Sequence, residues 1–452
     1  MPPPLHSSPF HATNFSSTCP QAFNTIDTSF LQLLEIDNST IFVPESEECL
    51  TVNIWAPSVE PFNPARQATA CSLLYYQVTV VQSNFPIYNG KNVVRDNEDI
   101  LIVSFNYRLN ILGFPNAPQL LSNEIKSQNF GFLDLDTAVQ WVYDNIAGFG
   151  GDPERITLFG QSAGGIAIDA YTFAHPQDTR VRGVIEQSGN LHVESSIFTE
   201  PTSQSWATVA SMVGCGNVAD DAQPTCMKQI PFERLENVVV VAGTNFQPQP
   251  DGATFFSDTP ARAAAGTFLR VPLLLGSTQN EADFIGVSAE ITTGFTVPNF
   301  VEILDDLATL VWMTALDRVN AKVPTWRYEY QAVFPDISPR PDLRAYHTSE
   351  LPVVFGTFTS PTGTEKALSK FIQSAWVAFA RDPAHGLQNI GWSRYSPNTT
   401  TLAQIGGVSN QTGITLNEGR LLDFACNSTE TLGDVEAQLI TLLGPIGGGF
   451  GL

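Results

Sequence analysis

The chain has 452 residues, 43% hydrophobic and only 15% charged, with 22 basic against 45 acidic side chains and a formal net charge of −23. That apolar share supports a large core and excludes a disordered chain, while the negative field repels phosphate backbones and so excludes nucleic acid as a partner. No stretch reaches the roughly 18–20 apolar residues that cross a bilayer, so no stable membrane anchor is expected.

Residues 1–48 read as irregular, polar and rich in proline and serine, and the opening Met1-Pro2-Pro3-Pro4-Leu5-His6 lacks the basic and apolar regions of a signal peptide. Residues 50–55 alternate as a strand, and 99–107 (DILIVSFNY) form a buried strand run. Helical spacing over 134–146 puts Leu135, Ala138, Val139 and Val142 on one face. A β-rich run at 155–159 enters a glycine-rich turn, and 163–174 is helix-prone. Strands are predicted at 183–187, 271–275 and 326–332, with a helix at 365–381. Strands alternating with helices imply an α/β fold with a mostly parallel central sheet, helices on both faces and no internal boundary over 1–452.

Six cysteines allow 15 pairings. Two local pairs are plausible, Cys19 with Cys49 and Cys215 with Cys226, the latter around a polar, turn-rich loop. Sequons at Asn14, Asn38, Asn398, Asn410 and Asn427 add to an extracellular, glycosylated character. No Cys-x-x-Cys or His-x-x-x-His spacing points to a metal, and neither metal nor cofactor is expected.

Gly160-Gln161-Ser162-Ala163-Gly164 is a G-x-S-x-G pattern. Short matches arise by chance, but here a β-rich run feeds the turn and a helix leaves it. That context presents a serine on a strained strand-to-helix turn, with the helix start aiming backbone N–H groups at the site. A serine hydroxyl needs an adjacent base oriented by an acid, and in this arrangement the chain order is serine, acid, histidine. His347 and His385 lie far enough downstream; His385 sits in a polar turn, and His347 follows a strand. For the acid, Glu281 and Asp283 both lie beyond the carboxyl end of the strand at 271–275.

These residues resemble the type-B carboxylesterase/lipase family, which includes cholinesterases and fungal lipases. Glu47 to Trp55 (EECLTVNIW) is similar to its early signature. Asn106-Tyr107-Arg108 with Leu112-Gly113-Phe114, and Phe149-Gly150-Gly151-Asp152-Pro153 leading to the Ser162 motif, match further ones. Asn280-Glu281 looks like its acid motif, with Ala282 where glycine is usual; His347-Thr348-Ser349-Glu350-Leu351-Pro352 looks like its histidine motif, and 376–383 like its late helix. The resemblance implies an α/β-hydrolase fold and a secreted serine esterase or lipase acting on small-molecule or lipid esters through an acyl-enzyme. It implies a triad of Ser162, Glu281 and His347, with Ala163 N–H as an oxyanion donor and Ser188 supporting the acid. It also supports the Cys19–Cys49 and Cys215–Cys226 bridges.

Two departures from the family pattern stand out. Its His-Gly-Gly-Gly run, the source of most oxyanion-hole donors, has no counterpart: the window 73–84 reads LLYYQVTVVQSN, and no glycine precedes Gly90. Pro2-Pro3-Pro4 resembles a stretch that in the family follows several N-terminal strands, so those strands are expected to be missing. The first departure motivates an alternative, a catalytically impaired binding protein of the same fold, because one lost oxyanion donor costs about 10²–10³ in rate.

Overall fold

The structure is a computed structural model that describes residues 12–22, 44–57, 68–73, 85–97, 99–120, 126–192, 204–284, 286–287, 290 and 311–419. The segments at 1–11, 74–84 and 420–452, which hold Pro2–Pro4, most of the glycine-poor window, Cys426 and Asn427, lie outside the described residues, as does Asn38.

Ile100–Phe105 (β3) shows how the sequence pattern builds the fold. All six residues are buried, and successive side chains enter opposite cores. Ile100 and Ile102 join one cluster, whereas Leu101, Val103 and Phe105 join another. A strand with a core on each side has no solvent face and reads as a near-continuous apolar run, here interrupted only by Ser104.

Around it run β1 (Val52–Trp55), β2 (Ala68–Leu73), β4 (Gly151–Gln161), β5 (Val181–Gln187), β6 (Leu273–Thr278), β7 (Thr325–Tyr330), β8 (Thr400–Ile405) and β9 (Ile414–Glu418). Among the described residues these nine form one sheet in the order β1-β3-β2-β4-β5-β6-β7-β8-β9. Only the end pairs, β1 with β3 and β8 with β9, are antiparallel.

Helices cover both faces. On one side lie α1 (Phe130–Asn145), α2 (Ala163–Ala174) and α3 (Val311–Asn320), which contribute Leu135, Val139, Ile168, Tyr171 and Ala315 to one core. On the other lie α4 (Leu351–Phe355) and α5 (Gly363–Arg381), which contribute Phe355, Leu368, Ile372, Trp376 and Phe379. A capping box fixes the start of α5. The Thr362 hydroxyl accepts the Glu365 N–H, and the Glu365 carboxylate accepts the Thr362 N–H.

The mostly parallel sheet with helices on both faces matches the α/β-hydrolase expectation, with boundary differences that have local causes. The helix expected from 134 begins four residues earlier, at Phe130, and Pro272 holds β6 back to Leu273. β2, β8 and β9 are not among the elements that patterning predicts. The sequence of β2 (ATACSL) offers a single large apolar residue, Leu73. β9 forms the sheet's margin, with every residue half-buried, so no clean alternation marks it.

The Cys19–Cys49 and Cys215–Cys226 disulfides are both present, with Cα atoms 4.8 Å and 5.9 Å apart. No helix among the described residues is long and apolar enough to cross a membrane.

Candidate active site

Three neighbouring parallel strands, β4, β5 and β6, end on one edge of the sheet, and each hands a site residue to the loop that follows. Ligand sites in open α/β sheets collect at such carboxyl ends. Gln161 closes β4 and pairs in register with Gln187, which closes β5. Ser162 then turns the chain into α2 with φ 58° and ψ −128°. For a residue with a side chain that conformation is strained. Its N–H donates to the Gln187 carbonyl at 2.7 Å, and its carbonyl accepts the Ile166 N–H at 3.1 Å.

The glycines of this turn make the approach possible. A methyl on Gly160 would come within 2.5 Å of the Gly164 backbone, and one on Gly165 within 2.4 Å of the Gly189 carbonyl oxygen. Strain is concentrated here. Among the described residues six non-glycines have left-handed φ, and three of them, Ser162, Ser188 and Thr348, flank the site.

The acid and the base arrive on two loops that are zipped together. After β6, Asn280 bridges Tyr346 as a parallel pair, its N–H donating to the Ala345 carbonyl at 2.9 Å. The next residue on each side is Glu281 and His347. One Glu281 oxygen, Oε1, accepts the Thr278 N–H at 2.7 Å, while Oε2 accepts a short hydrogen bond from His347 Nδ1. Asp283, the competing acid, is turned away: its two oxygens accept from Arg344 at 2.7 and 2.8 Å. His385 is exposed, 3.4 Å from Asp382.

His347 is enclosed. Phe284 stacks on the imidazole with ring centroids 5.3 Å apart. Burial works against the charged ring, but the charge and hydrogen bond of Glu281, with Glu350 adding its charge, outweigh it, so the imidazole holds its proton above the ordinary histidine value. Glu350 itself is pushed up to about 7, first by burial and then by the Glu281 charge. Its Oε1 accepts from Gln187 Nε2 at 2.9 Å, and Gln187 Oε1 in turn accepts from Trp376 Nε1 at 3.1 Å.

Two features differ from what the sequence leads one to expect. First, His347 Nε2, the atom that would take the serine's proton, lies 3.2 Å from Gln161 Nε2, and Ser162 Oγ makes no hydrogen bond to it among the described residues. The side chain next to the nucleophile occupies the base. Second, Ser188 Oγ is buried without a hydrogen-bond partner, so the contact to the acid expected of it is not made: both Glu281 oxygens are taken by Thr278 and His347. The oxyanion window after Leu73 lies outside the described residues. Ala163, the first residue of α2, is buried, and an N–H in the first helical turn has no intrahelical acceptor.

Sequence reasoning passes over Gln161, Glu350 and Phe284. The first two were within reach of it: Gln161 is the variable position of the nucleophile motif, and Glu350 sits three residues beyond His347 on the same loop.

Residues 1–294 match the Carboxylesterase family. A secreted lipase of Gibberella zeae ("Secreted lipase 5") is 33% identical over 77% of this chain and 70% of its own length. A chlorogenic acid esterase of Aspergillus niger is 32% identical over 88% of this chain and 75% of its own. A solved thermophilic p-nitrobenzyl (PNB) esterase superposes with a TM-score of 0.67 at 24% identity, covering 93% of this chain and 89% of the other, and shares the fold. The chain belongs to the carboxylesterase family and is a carboxylic ester hydrolase.

Proposed function

We propose that Ser162, His347 and Glu281 carry out the hydrolysis through an acyl-enzyme. The observation that supports this most is the Glu281–His347 hydrogen bond formed beside the strained Ser162 turn. In the acylation step His347 Nε2 takes the Ser162 proton as Oγ attacks the ester carbonyl carbon. Nδ1–H stays on the ring, facing Glu281, which orients the imidazole and stabilises its cation. The tetrahedral oxyanion faces the Ala163 N–H and the positive end of α2. Collapse breaks the C–O bond, and the leaving alcohol takes the proton from Nε2. Water then repeats the sequence on the acyl-enzyme and releases the carboxylic acid.

The substrate is a small-molecule or lipid ester, and a net charge of −23 favours uncharged ones. The protein works outside the cell as one hydrolase unit over 1–452. The Cys19–Cys49 and Cys215–Cys226 disulfides suit an oxidising compartment. Asn14, Asn398 and Asn410 are exposed sequon positions open to glycans.

A fluorophosphonate probe and p-nitrophenyl butyrate test the assignment. The probe should label Ser162, and Ser162→Ala should abolish both labelling and turnover. Folded protein that turns over ester while Ser162 stays unlabelled would overturn it.

A further inference from the structure

The side-chain amide of Gln161 is almost fully buried, and its Nε2 sits 3.2 Å from His347 Nε2. An amide nitrogen is only a donor, so the imidazole nitrogen it meets must be an acceptor. The ring's proton then lies on Nδ1, facing Glu281, which is the tautomer a general base needs. The same hydrogen bond exists only while Nε2 is unprotonated. It also occupies the lone pair that has to receive the Ser162 proton.

From this juxtaposition we infer that Gln161 is a positioning residue that clamps the resting base. It selects the Nδ1–H tautomer, disfavours protonation of Nε2 against the pull of the two carboxylates, and gives up Nε2 to Ser162 when substrate binds. The inference rests on the proposed triad for its meaning in catalysis, but the clamp itself is a property of the free protein. The charged groups that face the ring are Glu281, from the loop after β6, and Glu350, from the start of α4; both favour the imidazolium. Gln161, from the end of β4, is the neutral group set against them. Phe284 covers the ring face and contributes no charge.

The experiment replaces the amide while keeping its bulk. Gln161→Met removes the donor, and Gln161→Glu puts a carboxylate beside Nε2. Proteins labelled with ¹⁵N-histidine are titrated by NMR, following the Nδ1 and Nε2 signals of His347. His347→Gln identifies the signals. In Gln161→Met the imidazole should titrate roughly 0.5–1 unit higher than in the parent, the size of one hydrogen bond available to a single protonation state. In Gln161→Glu the rise should be larger. The parent should show a hydrogen-bonded, unprotonated Nε2 and a protonated Nδ1. In parallel, the acid limb of kcat/KM for p-nitrophenyl butyrate should move up by the same amount in each variant. Above that limb, Gln161→Met should acylate at least as fast as the parent.

An unchanged His347 titration in Gln161→Met, or in Gln161→Glu if the first variant does not fold, overturns the clamp whatever the activity. A shifted titration with no labelling of Ser162 in the parent leaves the clamp standing and overturns the triad instead.

Discussion

Glu281→Gln isolates what the acid does, because the structure leaves an amide no orientation that satisfies both of its neighbours. Glu281 Oε1 accepts the Thr278 N–H at 2.7 Å, and Oε2 faces His347 Nδ1. Glutamine has one oxygen for these two donors. If that oxygen stays with Thr278, the NH₂ group points at Nδ1, and the neutral ring must move its proton to Nε2, where it can no longer accept from Ser162. If the amide turns over, its NH₂ meets the buried Thr278 N–H, a donor facing a donor, at a cost of about 1–3 kcal/mol. The first orientation removes the base-competent tautomer; the second keeps it only at that cost and without the charge that stabilises the imidazolium. The expected fall in kcat is roughly 10³–10⁴, the scale of the equivalent acid-to-amide change in a serine triad, or about 4–5.5 kcal/mol of barrier. Steady-state hydrolysis of p-nitrophenyl butyrate reads it, with thermal melting to show that the fold survives. The acid limb of kcat/KM should also move down, because the charge that raises the His347 pKa is gone. A loss of only about tenfold in well-folded Glu281→Gln would refute the tautomer argument.

Gly189→Ala tests the packing beneath the nucleophile. Its methyl would lie 1.8 Å from the Ser162 carbonyl oxygen, against an ordinary contact of about 3.5 Å. Both partners are backbone, so neither can rotate away. Displacing the Ser162 turn should cost at least about 10²-fold in kcat/KM and about 1–3 kcal/mol of stability. Parent-like activity would show that the turn yields without consequence. The buried acids set the third expectation, a protein most stable at mildly acid pH. Burial and neighbouring carboxylates hold Glu350 at about 7 and Glu236 at about 8, against about 4.3 in an unfolded chain. Because these folded-state values are raised, the stabilisation is full below the unfolded value and is lost as pH climbs through about 7–8. His347, also raised, acts in the same direction. His175, depressed by burial, opposes them as a single group. At Asp178 burial is outweighed by hydrogen bonds from Arg180 and Tyr171; its lowered pKa costs stability only in stronger acid. Calorimetry between pH 4 and 8.5 should show the melting temperature falling from pH 5 to 8, with a shallower slope in Glu350→Gln. A flat or rising profile would contradict the assigned directions.

The legible parts of the chain were those where one residue type is forced by geometry. β3 announces itself because a strand between two cores is apolar at nearly every position, Ser104 being its one polar residue. The Ser162 turn does so because no side chain fits at Gly160 or Gly165. Helix α2 was bounded to the residue, since the nucleophile motif fixes where it begins. What the sequence concealed depends on contacts between distant loops. Spacing alone left Glu281 and Asp283 equivalent. They part company only because the β6 loop pairs with the loop carrying His347, which places Arg344 against Asp283 and the imidazole against Glu281. The margin strand β9, half-buried at every residue, carries no strong pattern.

The same reasoning explains why Gln161 escapes a reading by motif. In G-x-S-x-G the glycines are fixed by packing and the serine by chemistry, which leaves the first variable position looking like a spacer. Yet that position ends β4, so its side chain leaves the sheet at the edge where the β6 and His347 loops meet. A buried polar group at that edge must be satisfied, and the imidazole nitrogen is an acceptor within reach. A residue there bears on the base whatever its identity. An amide favours the neutral ring and a carboxylate the charged one, while an apolar side chain leaves Nε2 to Ser162. The pH at which the base becomes available is therefore adjustable at position 161 without moving Ser162, His347 or Glu281.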